Sequence, residues 1–268
     1  TARPMMAAAI AARVHYLDIT GEIDVFEHAS TLDAAARKAN IVLCPGVGFD
    51  VIPTDCLALA LKQALPDASS LCLGFESHSL KSPGTAKTTV EGIGTGTRIR
   101  RDGKLRTEPI GLRARYIDFG KGSRLAVAFP WGDVSTAFKT TGIPSITVFV
   151  AVTRGFRWAM LASNLLSPLL RLPAIRDRML ANAGAAIGPD AAARQNAPTY
   201  LWGEVRNVAV TEVQLAAVLL LQPGDAAQQR GLARAGVAEQ RADAAARQVQ
   251  IDIQAEARML NLEARLDF

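Results

Sequence analysis

The chain has 268 residues, 49% of them hydrophobic and 21% charged, with a net charge of +5. That balance suits a globular protein with one large domain or two smaller ones, and it excludes a disordered or fibrous chain. Aromatic residues make up 6% and do not interleave with the basic ones, which speaks against stacking on nucleic-acid bases.

In chain order, residues 4–12 read as an Ala- and Met-rich helix and residues 14–19 as a strand. Only Arg13 separates them, where such units often carry a glycine. Asp18-Ile-Thr-Gly-Glu22 comes next, at the strand's carboxyl end. Gly21 permits a turn there, and Asp18, Thr20 and Glu22 offer polar groups to a ligand. Thr20 or Asp24 can equally cap the next helix, which carries Val25, Phe26, Leu32, Ala35 and Ala36.

Residues 41–44 are apolar and long enough for one buried strand. Pro45, Gly46 and Gly48 then break the strand and let the backbone approach something closely. Asp50 or Thr54 can cap a third helix, Pro53 suits its first turn, and Leu57, Leu59, Ala60, Leu61, Ala64 and Leu65 make it apolar. Helix, strand, helix, strand, helix over the first 65 residues implies parallel strands with crossover helices. Strand, glycine loop, helix is how an α/β sheet presents a ligand site, although such a loop also serves as a tight connection. Neither Gly-x-Gly-x-x-Gly nor Gly-x-x-x-x-Gly-Lys-[Ser/Thr] occurs in the chain.

The pattern changes after residue 70. Residues 71–75 read as a strand, residues 85–93 as a helix and residues 97–106 as a hairpin around Asp102-Gly103. Arg98, Arg100, Arg101, Lys104 and Arg106 make this the most basic stretch, read as a solvated hairpin rather than a phosphate patch. Residues 112–119, 125–129 and 146–152 give further strands, so an antiparallel or mixed sheet is expected. Trp131 and Asp133 are expected to fix a turn. Residues 158–180 read as helix broken at Pro168 and Pro173, residues 188–198 as a loop, and residues 210–221 as a possible strand.

The stretch 151–173 is apolar but interrupted by Arg154, Arg157 and Arg171, which argues against a membrane span. Association with a bilayer surface through Phe156, Trp158, Leu165 and Leu166 stays open. Cys44, Cys56 and Cys72 form no Cys-x-x-Cys pair and have apolar neighbours, so buried free thiols in a reducing compartment are expected. His15, His28 and His78 lack ligand spacing, and no metal site is expected. The Thr-Ala-Arg-Pro-Met-Met start is neither a signal peptide nor an initiating Met.

His15-Tyr-Leu-Asp-Ile-Thr-Gly-Glu22, together with Gly48-Phe-Asp-Val-Ile-Pro-Thr-Asp55 further on, resembles the saccharopine dehydrogenase-like oxidoreductases. Further matches are Ser82-Pro-Gly-Thr-Ala86, Phe129-Pro-Trp-Gly-Asp133 with Thr136-Ala137, Gly142-Ile-Pro144 and, more weakly, Leu201-Trp-Gly-Glu204. The ordered set is more specific than any one motif. The Phe-Pro-Trp-Gly-Asp and Gly-Ile-Pro pairing points to the trans-acting enoyl reductase-like branch.

The resemblance implies an α/β fold. A partial Rossmann-like parallel sheet over residues 1–66 would precede an α+β substrate and oligomerisation domain over residues 67–208. An atypical Ala/Arg/Gln-rich tail would occupy residues 209–268, with an amphipathic helix in residues 240–268. An out-of-frame reading of a GC-rich gene would also produce such a tail. The family's Gly-rich pyrophosphate loop would lie upstream of Thr1.

The implied cofactor is NADP or NAD. Asp18, Thr20, Gly21, Glu22, Gly46, Gly48, Phe49 and Asp50 are the cofactor-side candidates, and Asp55, Thr85 and Lys87 the substrate-side ones. Lys87 would meet a carboxylate or phosphate, or simply be solvated. No His and no Tyr/Lys pair stands out as a proton donor. The expected activity is hydride transfer to a small-molecule, lipid-like enoyl substrate by a cytoplasmic protein, with a homodimer formed through the second sheet. A non-catalytic pseudoenzyme or oligomerisation module, and a lipid-surface protein, are the alternatives.

Overall fold

The computed structural model describes residues 2–77, 95–170, 172–184, 199–209 and 212–219. Thr85 and Lys87, the helix expected over 85–93, the loop over 188–198 and the helix over 240–268 lie outside them.

The chain opens with α1 (Ala2–Ala12), β1 (Tyr16–Leu17), α2 (Ile23–Thr31), α3 (Asp33–Ala39), β2 (Leu43–Cys44) and α4 (Ile52–Ala64). β1 and β2 pair in parallel, Tyr16 with Leu43 and Leu17 with Cys44. Arg13, where a glycine is common, adopts φ = 56° and turns the chain from α1 into β1. The expected strand over 14–19 shrinks to two residues. The single helix expected after Glu22 is two helices that meet at Leu32. Ser30 and Thr31 hydroxyls donate to the carbonyls of Phe26 and His28, and such local bonds compete with helix continuation.

Next come β3 (Ser70–Ser77), β4 (Thr97–Arg101), β5 (Lys104–Glu108), β6 (Ala114–Asp118), β7 (Ser123–Ala128) and α5 (Asp133–Thr141). β8 (Ser145–Ala151), α6 (Arg154–Leu170), α7 (Pro173–Gly184), β9 (Thr199–Arg206) and β10 (Glu212–Leu219) complete the elements of the described residues. The ten-residue expectation for β4–β5 is met by a hairpin whose corner residues, Asp102 and Gly103, both take positive φ, 51° and 74°. That is the primed turn whose twist matches the strands it joins. Pro168 does not break α6; it removes one donor from the last turn, and the helix ends two residues later.

β3 to β10 form one eight-stranded sheet, in the order β10-β9-β3-β8-β4-β5, with the β6–β7 hairpin joined through β7 to β8. The β3–β8 pairing is parallel and the others are antiparallel. The fold is therefore mixed α/β.

Alternation along β3 and β9 sorts side chains onto two faces. Leu71, Leu73, Leu201 and Val205 meet Leu57, Ala58 and Leu61 of α4 and Val134 and Ala137 of α5. Burying each leucine is worth about 1.5–3 kcal/mol. Gly203 must be small here, because a β-carbon would stand 2.5 Å from Leu61. The opposite face gathers Phe149, Tyr200 and Trp202 with Ile117 and Phe119 from the β6 arm.

The opposite face also holds Glu204, which is buried and receives two parallel hydrogen bonds from Arg115 at 2.9 and 2.7 Å. The Arg115 guanidinium lies 4.8 Å from the Trp202 ring centre. Cys72 is paired with Glu204 across the sheet, and burial plus that carboxylate pushes its thiol up to about 11. Cys44, by contrast, is exposed rather than buried.

The basic hairpin is only partly solvated. Arg100 is buried, and its guanidinium donates to Val134 O, Gly103 O and the Glu27 carboxylate, the last at 2.6 Å. Glu27 also accepts from Ser135. Arg98 pairs with Asp24. The hairpin thus ties α2 of the opening unit to α5 and the large sheet.

Candidate functional site

The carboxyl ends of β1 and β2 lie side by side because the two strands run parallel. Their following loops, residues 18–22 and 45–51, are therefore neighbours. Asp18 staples them together. One carboxylate oxygen accepts from the backbone N–H of Thr20 at 3.0 Å and of Gly46 at 3.1 Å, and the other accepts from the Tyr16 hydroxyl at 2.6 Å. Val47 N–H donates to the Asp18 carbonyl at 2.8 Å. Burial and the Asp18 bond push the Tyr16 phenol up to about 12. The Thr20 hydroxyl accepts from Glu22 N–H, but neither Thr20 nor Asp24 caps α2, whose cap residue is Glu22.

Gly46 takes φ = 79°, and a β-carbon there would stand 2.7 Å from the Phe26 ring. Gly132 meets the other edge of the same ring at 2.6 Å and Gly21 O at 2.9 Å. At Gly48 the space belongs to Ile19, whose Cβ would be 3.0 Å away. Phe26, which is buried, thus wedges between the loops around residues 46 and 132. The close approach expected of the glycines is made by the protein's own side chains. Gly21 is looser, its β-carbon position lying 3.6 Å from Asp50.

Glu22, Phe49 and Asp50 are exposed on the rim, with Thr20 and Gly21 half-buried beside them. Although the residue as a whole is exposed, its carboxyl group is partly shielded, which raises Asp50 from its ordinary value. Its carbonyl accepts the indole N–H of Trp131 at 2.7 Å, and Trp131 packs on Phe75 with ring centres 4.6 Å apart. Trp131 therefore bridges the second loop to the large sheet.

Behind the rim, α4 and α5 enclose a polar cluster. Asp50 and Thr54 do not cap α4; its cap residue is Val51, with no side-chain bond, and Pro53 occupies the first turn as expected. Instead the Thr54 hydroxyl contacts Val51 O at 3.0 Å and the Asp133 carboxyl group. Asp133 does not fix a turn: it begins α5 and is 0% exposed. Burial, opposed by the Thr54 bond and reinforced by Asp55 and Asp50, pushes it up to about 8.

The Thr54 hydroxyl has one proton to share between the Val51 carbonyl and the Asp133 carboxyl group, both of which can accept it. Asp55 lies at the same interface and accepts from the Thr140 hydroxyl at 2.5 Å. Burial raises it, while the Thr140 and Thr136 hydroxyls hold it down.

The structure thus brings Asp18, Thr20, Gly21, Glu22, Gly46, Gly48, Phe49 and Asp50 into one neighbourhood and sets Asp55 behind it, in the α4–α5 cluster. Sequence reasoning missed the Phe26 wedge and the Thr54–Asp133 pair, whose members are 79 residues apart. The one available signal was Asp133 ahead of Val134 and Ala137, the spacing of a helix start with an acidic first turn. No group of His, Cys, Asp and Glu able to hold a metal ion occurs among the described residues.

No protein-family model and no curated protein matches the chain. Among solved structures it is similar to apo saccharopine dehydrogenase (L-Glu forming) from Saccharomyces cerevisiae, at 12% identity and a TM-score of 0.45, covering 80% of this chain and 66% of that one. It is also similar to GenD2 from gentamicin A biosynthesis, solved with NAD, at 17% identity and a TM-score of 0.32, covering 81% and 52%. A dehydrogenase from Chromobacterium violaceum is similar at 11% identity and a TM-score of 0.28, covering 84% and 55%. The chain spans between about half and two thirds of the length of these structures.

Proposed function

We propose that the chain belongs to a nicotinamide-dependent oxidoreductase, with the loops over residues 18–22 and 45–50 receiving the nicotinamide end of NADP or NAD. The observation that carries this reading is their convergence at the carboxyl ends of two parallel strands, fastened by the Asp18–Gly46 bond. That is where α/β sheets present ligands. The ordered motifs from Asp18 to Glu204 support the same reading.

When bound, the cofactor supplies the hydride chemistry. The protein's part is to bind and orient. Thr20, Glu22 and Asp50 offer polar groups on the rim, and Phe49 offers an apolar face. Asp50, exposed on the rim, offers its carboxyl group to a ligand. Asp133 holds a proton, but its burial separates that proton from any ligand on the rim. The substrate would be a small molecule of enoyl or related type, met by Thr85 and Lys87 as well, in a cytoplasmic setting.

One observation favours a second reading. The spaces in front of Gly46 and Gly132 are filled by Phe26, so these glycines serve internal packing. A non-catalytic module that pairs with another copy through its mixed sheet would need nothing more. Fluorescence titration of the purified chain with NADPH and then NADH separates the two. Saturable binding at concentrations of about a micromolar supports the oxidoreductase reading. A folded chain that binds neither nucleotide supports the module.

A further inference from the structure

The helix α6 (Arg154–Leu170) is packed with its apolar stripe outward. Its inward side is narrow and largely polar. Arg157 donates to Gly111 O at 3.1 Å, and Asn164 donates to Ile110 O at 2.9 Å and accepts from Ile110 N–H at 3.2 Å. Met160 and Leu161 close around Gly111. On the opposite side Trp158 is 71% exposed and Leu165 85%, with Leu166 and Leu169 about half exposed beside them. Residues 158, 165 and 169 share one helical stripe, and 166 flanks it. A stripe of this kind ordinarily faces a core; exposed and contiguous, it marks an interaction surface.

Charge identifies the partner. The sequence carries no acidic residue between Asp133 and Asp177, while residues 154–184 carry Arg154, Arg157, Arg171, Arg176 and Arg178 against Asp177 alone. Two copies meeting through this face would bring like charges together, so an anionic partner is favoured. At the start of α6, Arg154 donates to the hydroxyl of Tyr116, itself exposed, placing an amphipathic ring and a cation side by side. Trp and Leu on one side, with Arg154 and a Tyr at the edge and a basic flanking sequence, form the pattern of a helix lying in a lipid interface. No helix among the described residues is long and apolar enough to cross a membrane.

We propose that the outward face of α6 docks on the anionic surface of a lipid bilayer, with Trp158, Leu165, Leu166 and Leu169 entering the interface and Arg154 at headgroup level. This rests on α6, its basic flank and Tyr116, and is independent of nucleotide binding.

The test is flotation of the full chain with vesicles of phosphatidylcholine alone or mixed with phosphatidylglycerol, at low and high salt. A Trp158→Ser, Leu165→Ser double variant runs alongside. Both side chains are solvent-exposed, so thermal melts of the variant and parent should coincide. Expected are flotation with the anionic vesicles, weakening at high salt, and a loss of about tenfold or more in the double variant. The proposal is overturned if the parent does not float at low salt, if the variant floats equally well, or if neutral vesicles serve as well as anionic ones. A dimer abolished by the double variant, with no flotation of the parent, would assign the face to a second copy instead.

Discussion

The eight-stranded sheet and the two-stranded β1–β2 pair hold their strands in contrasting ways. In the large sheet both faces are covered: α4 and α5 bury Leu71, Leu73 and Val205 on one, and the β6 arm buries Phe149 and Trp202 on the other. Around the small pair Leu17, Ile19 and Val42 are exposed, and the loops are held by polar staples, Asp18 above all. The large sheet draws its stability from packing and from the buried Glu204 held by Arg115. The small pair draws its geometry from hydrogen bonds and from Phe26, wedged against Gly46 and Gly132. The packed core lies in the large sheet, and the candidate ligand rim lies on the part that is tied to it.

The largest effect that tests this contrast is expected at Arg115. Arg115→Ala leaves Glu204 buried with only Arg206 and Gln214 beside it. Removing one partner of a buried pair is strongly destabilising, here by about 3 kcal/mol. Urea unfolding measures it, and a change below about 1 kcal/mol would show that the sheet does not depend on the pair.

Asp133 probes the seam between the two regions. Its folded value, about 8, lies above its unfolded value, so its contribution favours folding at low pH and is lost as pH rises through about 8. Unfolding free energy should therefore fall between pH 5 and pH 8, by up to about 1.4 kcal/mol per pH unit from this group. Asp133→Asn, which keeps an acceptor for Thr54 without a titrating group, should flatten that slope. Urea midpoints across that range decide it; identical slopes in parent and variant would show that Asp133 is not a neutral acid in the folded chain.

The smallest effect is expected on the exposed pair. Val42→Thr, at an exposed position beside β2, should shift stability by less than about 0.5 kcal/mol. A larger loss in the same unfolding assay would mean that the pair is better covered than its exposure indicates.

Local chemistry was the legible part of the sequence. Asp102-Gly103 announced its hairpin, Pro53 the start of α4, and the run of helices and strands the parallel β1–β2 pairing. Side chains that act across long separations were not legible. Arg100 looked like one of five solvated cations, yet its partner Glu27 sits 73 residues upstream. Asp133 looked like a turn residue because Thr54 and Asp55 reach it only after α4 folds against α5. The glycines at 46 and 48 are expected to let something approach the backbone, and the neighbours that stand there are Phe26 and Ile19. No periodicity encodes which ring fills a gap.

Hydrogen exchange of the full chain with and without NADPH tests the central claim most directly, because it reports both binding and place. Added protection is expected in peptides covering residues 16–22 and 45–52, with β3, β8 and β9 slow in both states. No protection by saturating nucleotide, or protection confined to the large sheet, would contradict a nicotinamide site on the β1–β2 rim.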